Sequence, residues 1–416
     1  MTVVRIVIVF FATVLLTKYT VYMFLCPWHS IIDSRERRLV NRFVKNYRPL
    51  VSVLIPAWNE EVGLSTTIKS LLASTYTNME IVVVNDGSTD ESHIMMLRFL
   101  EKYHRAMEGA RDPIRIVYHY KENGGKGSAL NTAIALSKGD ILLSIDADCF
   151  VKETTVKAFV EAFRNPEVMA AVGNVKVGNT RTVVGTIQHL EYNFGFYFKK
   201  ADSLLNTIYI IGGAAGAFRR EVFQKLGGYS VKNITEDIEL SVRIQQQGWR
   251  IVYCPDALVY TEGASSVYGL MKQRLRWKRG RFQTFWEHRK LFFSVRPEHN
   301  KLLTWIVLPL AVFGDVQLGF EPLFIIALYV FSLLSNDFSA FLSGIFVVSL
   351  MFGIQGWESR KEQSRTVMLL APIGWCLFYL CTFVELYSLV QSVWLSARKK
   401  EVKWQRWQRK GVADGK

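Results

Sequence analysis

Hydrophobic and polar residues alternate in blocks through the middle of the chain. Short apolar runs at residues 51–55, 81–84, 114–118 and 141–145 have the length of buried strands. Between the first two, Leu64, Ile68, Leu71 and Leu72 recur at helical spacing. A second helix is predicted from a Ser128 cap through Leu136, ending at Gly139. Strands that alternate with helices predict an α/β fold with a doubly wound, mostly parallel sheet.

Two longer apolar stretches lie outside this region, at residues 3–26 and 302–395. The first is about long enough to cross a bilayer, which takes about 20 residues. A basic cluster follows it at residues 35–48, so the positive-inside rule puts the N-terminus outside and the middle of the chain in the cytosol. A cleaved signal peptide is disfavoured because the charged flank lies on the wrong side of the apolar run.

The second stretch contains four apolar runs, at residues 302–316, 323–334, 338–354 and 367–395. The tail after it is basic and therefore expected in the cytosol, which requires an even number of crossings, about four or else two. The predicted organisation is a transmembrane helix (1–28), a basic cytosolic linker (29–49), a cytosolic domain (50–283), an amphipathic interfacial segment (284–301), transmembrane helices (302–397) and a basic cytosolic tail (398–416).

Composition agrees with a membrane-bound enzyme domain. Half of the 416 residues are hydrophobic, and the formal net charge is +15. Because the basic residues cluster beside the apolar segments, anionic lipid headgroups explain the charge better than nucleic acid does. The five cysteines form no CxxC pair, which favours reduced thiols in the cytosol.

Polar residues follow each of the four predicted strands. In a doubly wound sheet, ligands bind in the crevice outside the carboxyl ends of the strands. Four polar loops at one edge therefore predict a single site. Its candidate residues are Pro56, Ala57, Asn59 and Glu60 after the first strand, Asp86 after the second, Gly125 and Lys126 after the third, and Asp146 and Asp148 after the fourth.

The segment LLSIDADCF raises the question of what its two carboxylates bind. Residues i and i+2 of an extended chain share a face, so Asp146 and Asp148 would repel each other unless a cation lay close by. Mg²⁺ or Mn²⁺ binds carboxylates together with substrate phosphates. Lys126 adds a positive charge, and the Gly124-Gly125 backbone lets a phosphate approach. The sequence has no GxGxxG or P-loop motif, so it predicts a metal-bound diphosphate.

Two further motifs lie beyond the fourth strand. Thr235-Glu236-Asp237 is also typical of a helix N-terminus, and KQRLRWKRG of a basic amphipathic helix on a membrane surface. Together with Asp86 and the Asp146-x-Asp148 pair, these two motifs form a set of four in a fixed order along roughly residues 49–283. This set resembles family 2 of the inverting glycosyltransferases, specifically the processive cellulose, chitin, hyaluronan and poly-β-1,6-N-acetylglucosamine synthases. NGGKGSALNTAIALSKGD, GGAAGAFRRE and ITEDIEL resemble the last branch most.

The resemblance implies a GT-A fold and a role for each motif residue. Asp237 would be the general base, Glu236 and Trp277 would bind the acceptor, and Asp146 and Asp148 would bind the metal ion. The UDP-sugar would be bound by Pro56, Ala57, Asn59, Glu60, Asp86, Gly125, Lys126, Asp146, Asp148, Gln273, Arg274 and Arg276.

The implied enzyme is a hexosyltransferase in the plasma membrane that polymerises a β-linked polysaccharide from UDP-N-acetylglucosamine and exports it. Its partners would be the UDP-sugar, the growing polysaccharide, the lipid bilayer and a small accessory membrane subunit, with no nucleic acid. Glu385, deep in the last apolar run, is a candidate for lining the export path.

Several alternatives remain open from the sequence. The chain could be a nonprocessive family 2 transferase that glycosylates a membrane lipid, a hyaluronan- or chitin-type synthase, or a catalytically dead membrane scaffold. The gating-loop motif of cellulose synthases is not apparent. A glycoside hydrolase is disfavoured because Asp146 and Asp148 adjoin at one strand end and would not flank a glycosidic bond.

Overall fold

The structure is a computed structural model that describes residues 2–44, 46–110, 112–180, 182–358, 371–398 and 411. Its central sheet has eight strands in the order β3-β2-β1-β4-β7-β6-β8-β5. The strands are β1 (Val51–Ala57), β2 (Met79–Asp86), β3 (Arg115–Lys121), β4 (Ile141–Ser144), β5 (Cys149–Val151), β6 (Val168–Val177), β7 (Gly216–Arg219) and β8 (Arg250–Thr261).

The half of the sheet formed by β3, β2, β1 and β4 is entirely parallel, as predicted. Helices α2 (Leu64–Leu72), α3 (Ser92–Ala106) and α4 (Lys126–Leu136) connect its strands. The predicted Ser128 cap is wrong, because α4 begins two residues earlier, and Gly125 precedes it at φ 86°. Only glycine adopts that backbone angle readily, so the glycine pair sets the start of the helix.

The other half of the sheet mixes strand directions, and the mostly parallel prediction is wrong there. β7 runs antiparallel to both β4 and β6, and β5 runs antiparallel to β8, whereas β6 and β8 are parallel. β7 has only four residues, too few to give a readable alternation of polar and apolar positions. The helices of this half are α5 (Thr155–Ala162), α6 (Val183–Leu204), α7 (Arg220–Leu226), α8 (Glu236–Gln246) and α9 (Val267–Glu287).

Successive residues of the central strands belong to cores on opposite faces of the sheet. On β1, Val53 and Ile55 join one buried cluster with Phe159, whereas Leu54 joins the other with Phe218. Burial on both faces explains why these strands are continuous apolar runs. The sheet therefore holds the loops at its carboxyl edge on a rigid support.

The N-terminal helix α1 (Thr2–Phe43) is continuous across the two predicted segments 1–28 and 29–49. It packs on α6, where the Tyr22 hydroxyl donates to Asp202 Oδ1 at 2.7 Å. Farther along, Glu36 pairs with Arg250 of β8 at 2.7 Å. α1 is thus attached to the domain by both polar and aromatic contacts.

Three long apolar helices follow the domain among the described residues: α10 (Leu308–Ser335), α11 (Ser339–Glu358) and α12 (Gly374–Ala397). The predicted runs 302–316 and 323–334 form one helix, because α10 continues through Pro322 and a π-helical turn at Leu303–Val307 leads into it. Pro322 has no N–H to donate to the preceding turn, so α10 continues there with one backbone hydrogen bond fewer. The start of the last run, 367–370, and the predicted tail except residues 398 and 411 lie outside the described residues.

In the described part of the chain, Leu303–Ser335 alone is long and apolar enough to cross a membrane. Few of its residues are buried inside the structure. The shorter apolar helical segment Phe341–Ile354 lies beyond it. The described residues thus contain one candidate span, where the sequence predicts several.

Candidate functional site

The loops after β1 and β2 are tied together by hydrogen bonds. Asn59 has a left-handed φ of 56°, and its side-chain oxygen accepts from the backbone N–H of Thr89 at 2.8 Å. The Glu60 N–H donates to the Ser92 hydroxyl at 2.8 Å. Pro56 and Ala57 form the end of β1, in register with Val84 and Asn85. The predicted residues of the first loop therefore lie at the sheet edge in a fixed conformation.

Asp86 ends β2 and organises the loop after β3. Its Oδ1 accepts from Lys121 Nζ at 2.7 Å and from the Gly124 N–H at 3.0 Å, and its Oδ2 accepts from the Gly125 N–H at 2.7 Å. The Asn123 side-chain amide donates to the backbone oxygen of Asp86 at 2.8 Å. This buried carboxylate therefore holds the Gly-Gly loop, a contact that motif analysis did not reveal.

Lys126, at the start of α4, brings the acidic motifs together. Its Nζ lies 2.6 Å from Asp146 Oδ1 and 3.6 Å from Glu236 Oε1. The two carboxylates come from positions 90 residues apart in the chain. The structure thus brings together the third loop, the fourth loop and the Thr235-Glu236-Asp237 motif, as the ordered set predicts.

Asp146 and Asp148 lie in the turn between β4 and β5, so the prediction that they extend one strand face is wrong. β4 ends at Ser144 and the chain turns before Cys149. Asp146 pairs with Lys126, whereas Asp148 is buried and its Oδ1 accepts from the Thr261 hydroxyl at 3.4 Å. Both carboxylates still lie at the carboxyl edge of the sheet.

Asp237 lies in the first turn of α8, with both carboxylate oxygens hydrogen-bonded to backbone. Oδ2 accepts from the Gly213 N–H and Oδ1 from the Ile238 N–H, each at 2.9 Å. A Cβ at Gly213 would lie 2.5 Å from Lys126 Nζ, so a larger residue there would displace the lysine ammonium. Gly213 is a site residue that the motif list missed, although it lies in the GGAAGAFRRE segment.

The charged groups around Lys126 shift one another's pKa values. Burial acts to lower the pKa of Lys126, but the carboxylates of Asp146, Glu236 and Asp237 outweigh it and raise that pKa above its usual value. Burial raises the pKa of Glu236 to about 7; Lys126 lowers it and Asp237 raises it. Lys126 therefore stays charged, and Glu236 can hold a proton near neutral pH.

One face of α9 packs on the Thr235-Glu236-Asp237 motif. A Cβ at Gly280 would lie 2.2 Å from Thr235 Oγ1, so the backbones approach closely. One turn farther along, the Thr284 hydroxyl accepts from the Asn233 amide at 3.0 Å. Arg276 shares this face by helical spacing and lowers the pKa of Glu236.

Arg274 lies on a different face of α9 from Arg276. Its guanidinium pairs with Glu191 at 2.5 Å and with Glu385 at 3.2 Å, and it lies over the Trp277 ring at 4.3 Å. The pairing does not support the predicted donor contact of Arg274. Trp277 also lies 6.4 Å from the Tyr192 ring, centroid to centroid, and Gln273 is buried.

No group of three or more His, Cys, Asp or Glu side chains in the described residues is arranged to hold a metal ion. Mg²⁺, however, keeps several waters and is commonly bound by one or two carboxylates plus substrate phosphates. Asp146 and Asp148 supply two carboxylates from a single turn. Their oxygens fit a divalent cation whose remaining ligands come from a phosphate and water.

Comparison with known protein families identifies the catalytic class. Residues 52–227 match the model of glycosyl transferase family 2, and residues 141–387 match that of glycosyl transferase family group 2. The second match spans more than half of the chain and includes both acidic motifs and the α9 motif. The chain belongs to glycosyl transferase family group 2. It is a hexosyltransferase, and proteins of this family transfer a sugar from a nucleotide-sugar donor to an acceptor.

Individual relatives agree with this assignment. The chain is 29% identical to the probable glycosyltransferase YdaM of Bacillus subtilis over 381 residues, 87% of each chain. It is also 29% identical to poly-β-1,6-N-acetyl-D-glucosamine synthase of Staphylococcus aureus over 232 residues, 55% of this chain. That match spans about half of the synthase, 54% of its length.

Among solved structures, the fold is similar to that of the mannosyltransferase PcManGT from Pyrobaculum calidifontis, solved with GDP-Man and Mn²⁺. The TM-score is 0.54 at 19% sequence identity, covering 92% of this chain and 99% of that one. At this identity the likeness concerns the fold alone. It supports a GT-A-like mixed α/β sheet for this glycosyltransferase.

Proposed function

We propose that this family 2 glycosyltransferase is an inverting, processive synthase that uses a UDP-sugar, preferentially UDP-N-acetylglucosamine, to extend a β-linked polysaccharide. The observation that carries the proposal is the meeting of Asp237, Lys126 and Asp146 at the sheet edge, with α9 packed on the Asp237 motif. A donor loop, a base and an acceptor helix then border one crevice.

The donor nucleotide would bind the loops after β1, β2 and β3. The uridine would contact the segment from Pro56 to Glu60, and the diphosphate would approach the Gly125 backbone and the Lys126 ammonium. The fixed loop geometry around Asn59 and Asp86 supports this assignment, because a preformed loop binds without an ordering cost.

Asp146 and Asp148 would hold Mg²⁺ or Mn²⁺ beside the diphosphate. A bound divalent ion would supply Lewis-acid stabilisation of the charge that grows on the leaving diphosphate. Lys126 and Arg276 would add fixed positive charge at the same place. Lys126 already lies beside Asp146, which favours this division of roles.

Asp237 would act as the general base. It would take the proton from the acceptor hydroxyl as that oxygen attacks the anomeric carbon on the face opposite the nucleotide, so a single displacement inverts the configuration. The two backbone N–H groups that bond its carboxylate fix its orientation. Glu236 and Trp277 would contact the acceptor sugar.

The proposal that the enzyme makes and exports a polymer rests on sequence similarity and on the apolar helices. The α9 motif resembles that of processive synthases, and the chain is similar to a poly-β-1,6-N-acetyl-D-glucosamine synthase over part of its length. The sparsely buried helix Leu303–Ser335 supports a membrane location, and the basic cluster at residues 35–48 supports placing the catalytic domain on the cytoplasmic side. An accessory membrane subunit belongs to this proposal as a further partner.

Product analysis tests the proposal. The full-length protein in membranes would be given labelled UDP-N-acetylglucosamine and Mg²⁺, and product length and linkage would be measured. A long β-linked polymer is expected. If the product is a single sugar on a lipid, the nonprocessive alternative replaces the polymer proposal. The broad match to YdaM leaves this alternative open. A sugar-nucleotide panel in the same membranes identifies the donor.

A further inference from the structure

Helix α9 carries two sets of polar contacts on different faces. Gln273, Arg276, Gly280 and Thr284 recur at helical spacing on the face toward the Thr235-Glu236-Asp237 motif. Arg274, Lys278 and Arg281, spaced i, i+4 and i+7, form a second face about a third of a turn away. Motif analysis explains the first face only.

The cations of the second face alternate with carboxylates of the apolar helices. Lys278 Nζ lies 2.8 Å from Glu385 of α12 and 2.9 Å from Asp315 of α10. Arg281 also pairs with Asp315, and Arg274 pairs with Glu385 at 3.2 Å. Arg274 completes the chain by reaching Glu191 of α6 at 2.5 Å.

These charges are mostly removed from solvent. The side chains of Arg274, Lys278 and Glu385 are 5%, 13% and 19% exposed. Breaking a buried pair by removing one partner strands the other charge, which costs far more than losing an exposed pair. The carboxylates of α10 and α12 therefore favour one rotation and one axial position of α9.

We propose that Glu385 and Asp315 are positioning residues that fix the rotation of α9 through Lys278 and its neighbouring arginines, and thereby aim Arg276 and Trp277 at the transfer site. The proposal rests on the proposed function, which gives Arg276 and Trp277 their roles. It also assigns Glu385 a task other than lining an export path.

Glu385 can affect the positions of Arg276 and Trp277 through the rigid helix α9 alone, without a mobile segment. Arg276 and Trp277 lie between Arg274 and Lys278 on the same rigid turn, so a rotation that relieves an unpaired Lys278 also displaces them. A misplacement of about 1 Å can cost about a hundredfold in rate even when the mutated residue lies far from the chemistry. The donor loops belong to β1, β2 and β3 and would not move with α9.

The test uses the isosteric variant Glu385→Gln in the full-length protein, reconstituted in bilayers of fixed composition. We expect kcat to fall about tenfold or more while the KM for the UDP-sugar changes less than about threefold. Glu385→Asp, which keeps the charge, should retain most of the activity. The matched control is Glu321→Gln, a carboxylate of α10 that bonds Thr382 at 3.5 Å and should leave kcat unchanged.

A double variant separates positioning from simple stabilisation. Lys278→Met combined with Glu385→Gln removes both charges, which should restore thermal stability. Positioning predicts that kcat stays low in this variant, because Lys278 and Glu385 no longer tie α9 to α10 and α12. The inference is overturned if Glu385→Gln retains wild-type kcat, or if kcat returns together with stability. Activity that persists in Asp237→Asn would instead overturn the proposed function.

Discussion

The two halves of the sheet contribute different parts of the site. The parallel half supplies the loops that contain Asn59, Asp86, Lys126 and Asp146, all at the carboxyl ends of its strands. The mixed half supplies Asp237 from the start of α8, next to Gly213, which precedes the antiparallel strand β7. The residues proposed for the donor side and for proton transfer thus meet where β4 pairs with β7.

In the proposed mechanism, this difference separates donor binding from proton transfer. The parallel half is fixed by hydrogen bonds between its own loops, such as those that Asp86 accepts. Asp237 is held within the mixed half by the Gly213 N–H, and its charge acts on Lys126 of the parallel half. Changes on the two sides should therefore have separable effects on donor affinity and on turnover.

The largest expected effect is that of Asp237→Asn. Loss of the proposed base should lower kcat by about 10²–10⁴-fold, whereas UDP affinity should change little because the proposed donor loops lie in the other half of the sheet. Initial rates with labelled UDP-sugar and equilibrium UDP binding check both parts. A parallel loss of UDP affinity would show that the two halves do not work separately.

The second-largest effect is expected for Asp148→Asn and for removal of the metal ion. Because these carboxylates are proposed to hold the cation beside the diphosphate, the variant and a chelator should each weaken UDP binding as well as activity, by about tenfold or more. UDP titration with and without Mg²⁺ measures this. Unchanged UDP binding after chelation would refute the metal role of the pair.

A smaller effect is expected from Gly280→Ala on α9. The new methyl would lie 2.2 Å from Thr235 Oγ1, and Thr235 is buried, so helix or motif must shift at a cost of about 1–3 kcal/mol. Turnover should fall while UDP binding persists. Gly195→Ala in α6, where a Cβ meets nothing within 4 Å, is the control for thermal stability and rate.

The smallest effect is a change in pH dependence. The pKa of Glu236 is raised by burial from 4.5 to about 7, so the folded state keeps a proton that the unfolded state loses between these values. Its contribution to stability is complete below about 4.5 and is lost as the pH rises through about 7. Glu236→Gln should make the melting temperature depend less on pH between about 4.5 and about 7. Glu221→Gln, at an exposed position, should leave the pH dependence of the melting temperature unchanged.

The sequence predicts the parallel half well because its signals are local. Each of the first four strands is an apolar run that ends in polar residues, and the loops with Asp86, Lys126 and Asp146 follow from that order. The mixed half depends on pairings between distant segments, and β7 is too short to recognise. The rotation of α9, which turns Arg274 toward Glu191 and Glu385, depends on partners that motif spacing does not include.

The buried carboxylate of Asp86 has a kinetic consequence for the enzyme. Because three donors bond the Asp86 carboxylate, the loop from Lys121 to Gly125 is held by contacts within the protein itself. The donor would then associate in a single step, without a slow loop rearrangement to limit the encounter. In the proposed processive cycle, a loop that is already ordered would shorten each refilling of the donor site.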